Sequence, residues 1–189
     1  MQYADVQGVR VEATTGMAGE CPACHAPVVA RCGEVNVWHW AHETECTIQS
    51  EPETAWHRAW KERFPKEYRE VVLADHRADV IYRGTVYEFQ RRPLEPTEYA
   101  ERTAFWERHG FTVRWVFYHA DHPETFVLRM PEHSTRDFMT FRWKWAKRRL
   151  ADVATPFYID GGWEDPFLVR RIYWDEKVGG WGVFQKITV

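Results

Sequence analysis

Three stretches decide the reading: Glu53-Thr-Ala-Trp-His57-Arg-Ala-Trp-Lys61, Arg77-Ala-Asp79-Val80 and Glu88-Phe-Gln90. In the first, Glu53, His57 and Lys61 recur every fourth residue, so a helix would set them along one face. Ser50-Glu-Pro-Glu53 reads as its start, with Ser50 as N-cap, and Pro65 as its stop. The other two stretches read as the arms of a hairpin. A two-residue turn at Arg83-Gly84 pairs Tyr82 with Thr85. Counting back from there sets Asp79 opposite Glu88 and Arg77 opposite Gln90. Side chains two apart share a strand face, so Asp79, Glu88 and Gln90 project together. Directly opposed like charges destabilise a sheet. A shared divalent cation, Mg²⁺ or Mn²⁺, is the simplest compensation.

Working outward, residues 68–73 read as a further strand. Residues 96–109 read as a helix closed by Gly110, and residues 111–118 as a strand buried on both faces. The order helix, three strands, helix, strand predicts an α/β core over residues 49–130. Residues 4–13 read as one strand ahead of a Cys/His module, giving an N-terminal part over 1–48. After Pro131, residues 135–150 read as a helix rich in Trp, Lys and Arg. Residues 157–189 read as strands broken at Gly161-Gly162 and Gly179-Gly180, a β-rich extension over 131–189.

The 189 residues are 44% hydrophobic and 16% aromatic, so a buried core forms and disorder is excluded. Charge is unevenly placed. Residues 1–90 hold 9 Lys/Arg and 14 Asp/Glu, whereas residues 91–150 hold 12 and 8. An acidic segment beside a basic one suits a metal site that meets a polyanion such as single- or double-stranded DNA. Candidate phosphate contacts are Arg77, Arg91 and Arg92, with Lys144, Lys147 and Arg148 of the Trp-rich basic segment, where cations serve phosphates and indoles stack on bases. No stretch has the ~18 apolar residues of a membrane helix. The first residues lack a basic start with an apolar signal core. A cytoplasmic location without membrane contact is expected. A homodimer or a partner protein is compatible with the sequence.

All 4 Cys lie between Cys21 and Cys46. In a reducing compartment such clustering points to metal. Cys21-Pro-Ala-Cys24 has zinc-knuckle spacing, and His39-Trp-Ala-His42 and Cys46 supply the second half. The expected ligands of a structural Zn²⁺ are Cys21, Cys24, His39 and one further residue.

The series resembles the CoiA-like competence protein family, whose nuclease region belongs to the PD-(D/E)XK, restriction-endonuclease-like group. The resemblance rests on Glu53-x3-His57-x3-Lys61, Arg77-Ala-Asp79-Val, Glu88-Phe-Gln90, Arg102-Thr103 and Val113-Arg-Trp115-Val. It extends upstream to the Cys-Pro-x-Cys and His-aromatic-Ala-His units. It implies His42 as fourth zinc ligand, with Cys46 as the alternative. It also implies Mg²⁺-dependent phosphodiester hydrolysis with Asp79 and Glu88 as ligands and Glu53 as an outer or second-metal ligand. Gln90 stands where many such enzymes carry Lys. Lys61 would then supply the missing charge from the helix, and His57 would contact phosphate.

Overall fold

In a computed structural model, residues 1–46, 48, 52–92, 94–121, 126–129, 139–143, 157–162, 167–175 and 179–186 are described. They form a mixed α/β structure with two sheets and divide into two compact units, 1–87 and 88–189.

The first unit opens with a hairpin, β1 (Tyr3–Val6) against β2 (Val9–Glu12). The single strand expected over 4–13 is therefore corrected. Gln7 and Gly8 adopt φ of 55° and 79°, and Asp5 Oδ1 accepts from the Gly8 N–H at 2.6 Å. Two left-handed residues make a tight turn that reverses the chain. Then come β3 (Ala18–Glu20), β4 (Pro27–Arg31) and β5 (His39–His42). The sheet order is β2-β1-β3-β4-β5. Its core gathers Ala4, Val28, Cys21 and Trp40. Trp40 buries its ring while its Nε1 donates to the Val11 carbonyl at 3.1 Å, so the indole dipole is satisfied.

Helix α1 spans Ala55–Lys61. Its N-cap is Thr54, whose hydroxyl accepts from the His57 N–H at 3.3 Å. The start expected at Ser50 is corrected for this reason, and Ser50 itself lies outside the described residues. Glu53 consequently precedes the helix. A 3₁₀ turn (Lys66–Tyr68) leads into β6 (Arg69–Leu73), then β7 (His76–Tyr82) and β8 (Thr85–Gln90). Arg83 and Gly84 take φ of 49° and 75°, and the ladder runs Tyr82↔Thr85, Ile81↔Val86, Val80↔Tyr87. That is the register the two-residue turn dictates.

The second unit begins within β8, at Glu88. Helix α2 (Pro96–Arg108) starts on proline and ends before Gly110 at φ 85°. Strand β9 (Thr112–Tyr118) follows. Val113 and Trp115 are buried while Thr112 and Arg114 are exposed, so the first half of β9 is one-sided rather than buried on both faces. A parallel partner, β12 (Phe157–Asp160), pairs Phe157↔Trp115 and Ile159↔Phe117.

The backbones of β10 (Phe126–Arg129), β11 (Met139–Trp143), β13 (Phe167–Asp175) and β14 (Gly179–Lys186) complete the order β10-β11-β14-β13-β12-β9. The helix expected over 135–150 is contradicted at residues 139–143. There β11 is laddered on both sides, Phe141↔Gly182 and Leu128↔Phe141. Aromatic residues alternating with polar ones favour a pleated surface once partner strands flank them. The remainder of that expected helix lies outside the described residues.

Gly19 lies on β3 between β1 and β4. A Cβ there would stand 2.6 Å from the Asp5 carbonyl oxygen and 3.0 Å from Val6 Cγ2. Gly19→Ala is expected to destabilise the first unit by about 1–3 kcal/mol through overpacking against backbone. A thermal melt followed by circular dichroism checks this; an unchanged midpoint would show that the two strands part freely.

Candidate functional site

Two side-chain clusters in the first unit carry chemistry. In one, ligand atoms of Cys21, Cys24, His42 and Cys46 all lie within 4.8 Å of one another. Cys24 Sγ is 3.3 Å from His42 Nε2 and 3.6 Å from Cys46 Sγ. All four cysteines are free thiols. Three thiols and an imidazole make a donor set for a structural ion such as Zn²⁺. Zn–S bonds of about 2.3 Å put tetrahedral sulfurs roughly 3.8 Å apart.

The knuckle is shaped locally. The Cys21 N–H donates to the Ala26 carbonyl at 2.9 Å, His25 turns the chain at φ 59°, and the Ala23 N–H points at Cys21 Sγ from 3.4 Å. Burial and the Arg77 guanidinium push His42 below its ordinary pKa, keeping the neutral form that binds metal.

His39 is not in this cluster, and Cys46 takes the place expected for it. The reason is strand parity. His39 and His42 are three apart on β5, so they face opposite sides of the sheet, and one of them at most can meet the knuckle. His39 Nδ1 instead sits 2.8 Å from the Val37 carbonyl.

The second cluster centres on Lys61. Its ammonium donates to Glu53 Oε2 at 2.7 Å and to Glu70 Oε1 at 2.8 Å, and its side chain is 1% exposed. Burial alone would favour neutral lysine. The charges of Glu70, Glu53 and Asp79 reverse that and raise its pKa. Burial likewise opposes the Glu70 carboxylate, but Lys61 and Arg77 hold it far below the usual range. Glu70 also accepts from the Gln2 N–H at 2.8 Å and the Tyr3 N–H at 3.1 Å. Glu53 is 5% exposed; its Oε1 is buried without a hydrogen-bond partner among the described residues, 3.9 Å from Arg58 Nε.

Lys61 is therefore committed to carboxylates rather than open to a phosphate. His57 is buried, with Nδ1 2.8 Å from the Thr54 hydroxyl. Glu70 is the residue that sequence reasoning missed; no motif contains it.

Residues 17–49 match the family model of the competence protein CoiA, N-terminal domain. Over those residues the chain is similar to that domain. No curated protein and no solved structure matches it. The CoiA domain contains all four residues of the Cys3His cluster, so the metal-binding set and the family match coincide.

Further residues of the motif series lie in the second unit and lock one another. Glu88 accepts from Arg102 Nη2 at 2.6 Å on Oε2 and from Trp106 Nε1 at 2.9 Å on Oε1. The Arg102 guanidinium lies 5.0 Å from the Trp115 ring, and Trp115 Nε1 donates to the Thr103 hydroxyl at 3.0 Å. Arg102-Thr103 thus serves Glu88 with one residue and Trp115 with the other. Gln90 Nε2 donates to the Arg92 carbonyl at 2.9 Å.

Of the candidate phosphate contacts, Arg91 pairs with Asp121 at 2.9 Å and covers the Tyr118 ring, while Arg92 is exposed. Arg77 Nη1 reaches the Met1 thioether at 3.2 Å. Lys144, Lys147 and Arg148 lie outside the described residues.

Two outcomes are expected. First, His42→Ala and Cys46→Ala purify with markedly less zinc, whereas His39→Ala retains about one zinc per chain by elemental analysis. Loss of zinc from His39→Ala alone would restore the other ligand set.

Second, Glu70→Gln breaks a buried ion pair and costs about 3–5 kcal/mol near neutral pH. Because the folded pKa of Glu70 is depressed, its stabilisation is present above the unfolded value of about 4.3 and is lost as pH falls towards the folded one. The difference in melting temperature between wild type and Glu70→Gln should therefore shrink on acidification below that value. A constant difference from pH 7 to 3 would show that the carboxylate charge contributes nothing.

Proposed function

We propose that this chain is a metal-dependent nuclease that hydrolyses DNA phosphodiester bonds, a PD-(D/E)XK-type activity attached to a zinc-stabilised CoiA domain. One observation carries the reading. Glu53, from the first acidic motif, is gripped on one oxygen by Lys61 of the same motif, whose charge Asp79 of the second motif also favours, and its other oxygen is buried without a hydrogen-bond partner among the described residues. An orphaned carboxylate oxygen fits a hard divalent ion, which favours oxygen donors.

Mg²⁺ or Mn²⁺ would be held by Asp79 and Glu88, with Glu53 in support, and would supply water activation and charge neutralisation on the phosphate. The chain's own residues do the positioning. Lys61 fixes Glu53, and Arg102 with Trp106 fixes Glu88. Gln90 offers an amide, which orients water without adding charge. Arg77, Arg91 and Arg92 are the described cations proposed to meet the DNA backbone.

A second reading, a catalytically inactive nucleic-acid-binding module, draws support from Glu88. Both its oxygens already accept hydrogen bonds, which reduces its capacity for metal.

The test is incubation with linear, circular and single-stranded DNA in Mg²⁺, Mn²⁺ or EDTA. Cleavage products that vanish in EDTA and in Asp79→Ala, with that variant's melting temperature equal to or above wild type, are the expected result. DNA retention on a native gel without any products would replace the nuclease by the binding module.

A further inference from the structure

The backbone at Glu70 is out of place for a strand. Its φ is +46°, a left-handed value that side chains other than glycine adopt at a cost of roughly 1–3 kcal/mol. Its neighbours are laddered normally, Arg69↔Val80 and Val71↔Ala78, so the distortion is confined to the position bracketed with Asp79. The surroundings enforce it. The carboxylate takes two main-chain N–H donors, from Tyr3 at the start of β1 and Gln2 just before it, and the Lys61 ammonium, all within 3.1 Å. Strain kept in place by three groups around a buried charge marks a position under constraint.

What that constraint achieves is visible at Glu53. Lys61 is pulled between Glu70 and Glu53, and so occupies Glu53 Oε2 alone. Oε1 is left buried and, among the described residues, without a hydrogen bond, 3.9 Å from Arg58 Nε. A carboxylate free to rotate would share both oxygens with the ammonium.

We propose that Glu70 is a positioning residue for a divalent-cation site on Glu53, holding Lys61 so that the Glu53 carboxylate keeps Oε1 available to the ion or its hydration water. This deepens the nuclease reading and rests on it. Glu70 touches neither ion nor substrate; it acts through Lys61. Outer partners that orient a ligating carboxylate typically change metal affinity by about 10–100-fold.

The test measures Mn²⁺ binding by electron paramagnetic resonance on the full, zinc-loaded chain. It compares wild type with Glu70→Gln, Lys61→Gln and the double variant carrying both substitutions. Positioning and simple charge balance give different patterns. If Lys61 and Glu70 only set the local field, removing the lysine tightens Mn²⁺, removing the glutamate weakens it, and the neutral double variant binds as wild type. If they position Glu53, all three variants weaken Mn²⁺ by about 10–100-fold.

The double variant removes the pair together, which buried ion pairs tolerate better than loss of one partner, so it carries the test if a single variant fails to fold. Tighter binding in Lys61→Gln, wild-type binding in the double variant, or no Mn²⁺ binding by wild type would overturn the proposal. Wild-type Mn²⁺ binding weakened in all three variants, with no DNA cleavage under any condition, would uphold it and remove the nuclease reading alone.

Discussion

A lysine with its ammonium out of water is the constraint on which the first unit depends. Lys61 is buried beside two carboxylates that are themselves nearly inaccessible. Desolvating three charges is costly, and the attraction offsets that cost only while every member stays in place. Each member comes from a different part of the chain: Lys61 ends α1, Glu53 precedes it, and Glu70 lies in β6. The N–H groups of Gln2 and Tyr3 complete the set at β1. One electrostatic knot therefore ties the N-terminal sheet to α1 and β6. Residues 1–87 form one compact unit, in which the Cys3His cluster and the charged cluster share a body.

The zinc-type cluster obeys a different rule. Its membership follows from pleat geometry rather than from ligand chemistry, because His39 and His42 are equally good donors. Alternation on β5 puts His42 on the knuckle's side, and Cys46 supplies the remaining thiol from beyond the strand. Trp40, two residues from His42, packs on the module's core. The same face thus carries both the hydrophobic filling and the imidazole.

Legibility in the sequence tracked how local the governing interaction is. The β7–β8 hairpin was readable because Arg83-Gly84 fixes its own turn and thereby its register. Helix α2 was readable from Pro96 and Gly110, which punctuate it. The turn at Gln7-Gly8 was hidden inside a run of alternating valines that reads equally well as one strand. Thr54 was overlooked as a cap because Ser50 offered the same chemistry four residues earlier. Residues 139–143 looked helical in isolation, and only flanking strands from distant sequence make them β11. Glu70 gave no signal at all, since its role needs Lys61, Gln2 and Tyr3 around it. The acidic motifs name carboxylates but not which of their oxygens already accept hydrogen bonds.

The donors that Gln2 and Tyr3 offer to Glu70 are peptide groups, not side chains. Their identity is therefore almost independent of the genetic code at positions 2 and 3. Any residue with a main-chain N–H supplies the same bond, and proline alone does not. Side chains at those positions can therefore change, within what their buried packing allows, without loosening the latch. Glu70, by contrast, is answerable for its charge, its length and its unusual backbone angle at once. The two sides of one contact are thus open to drift to very different degrees.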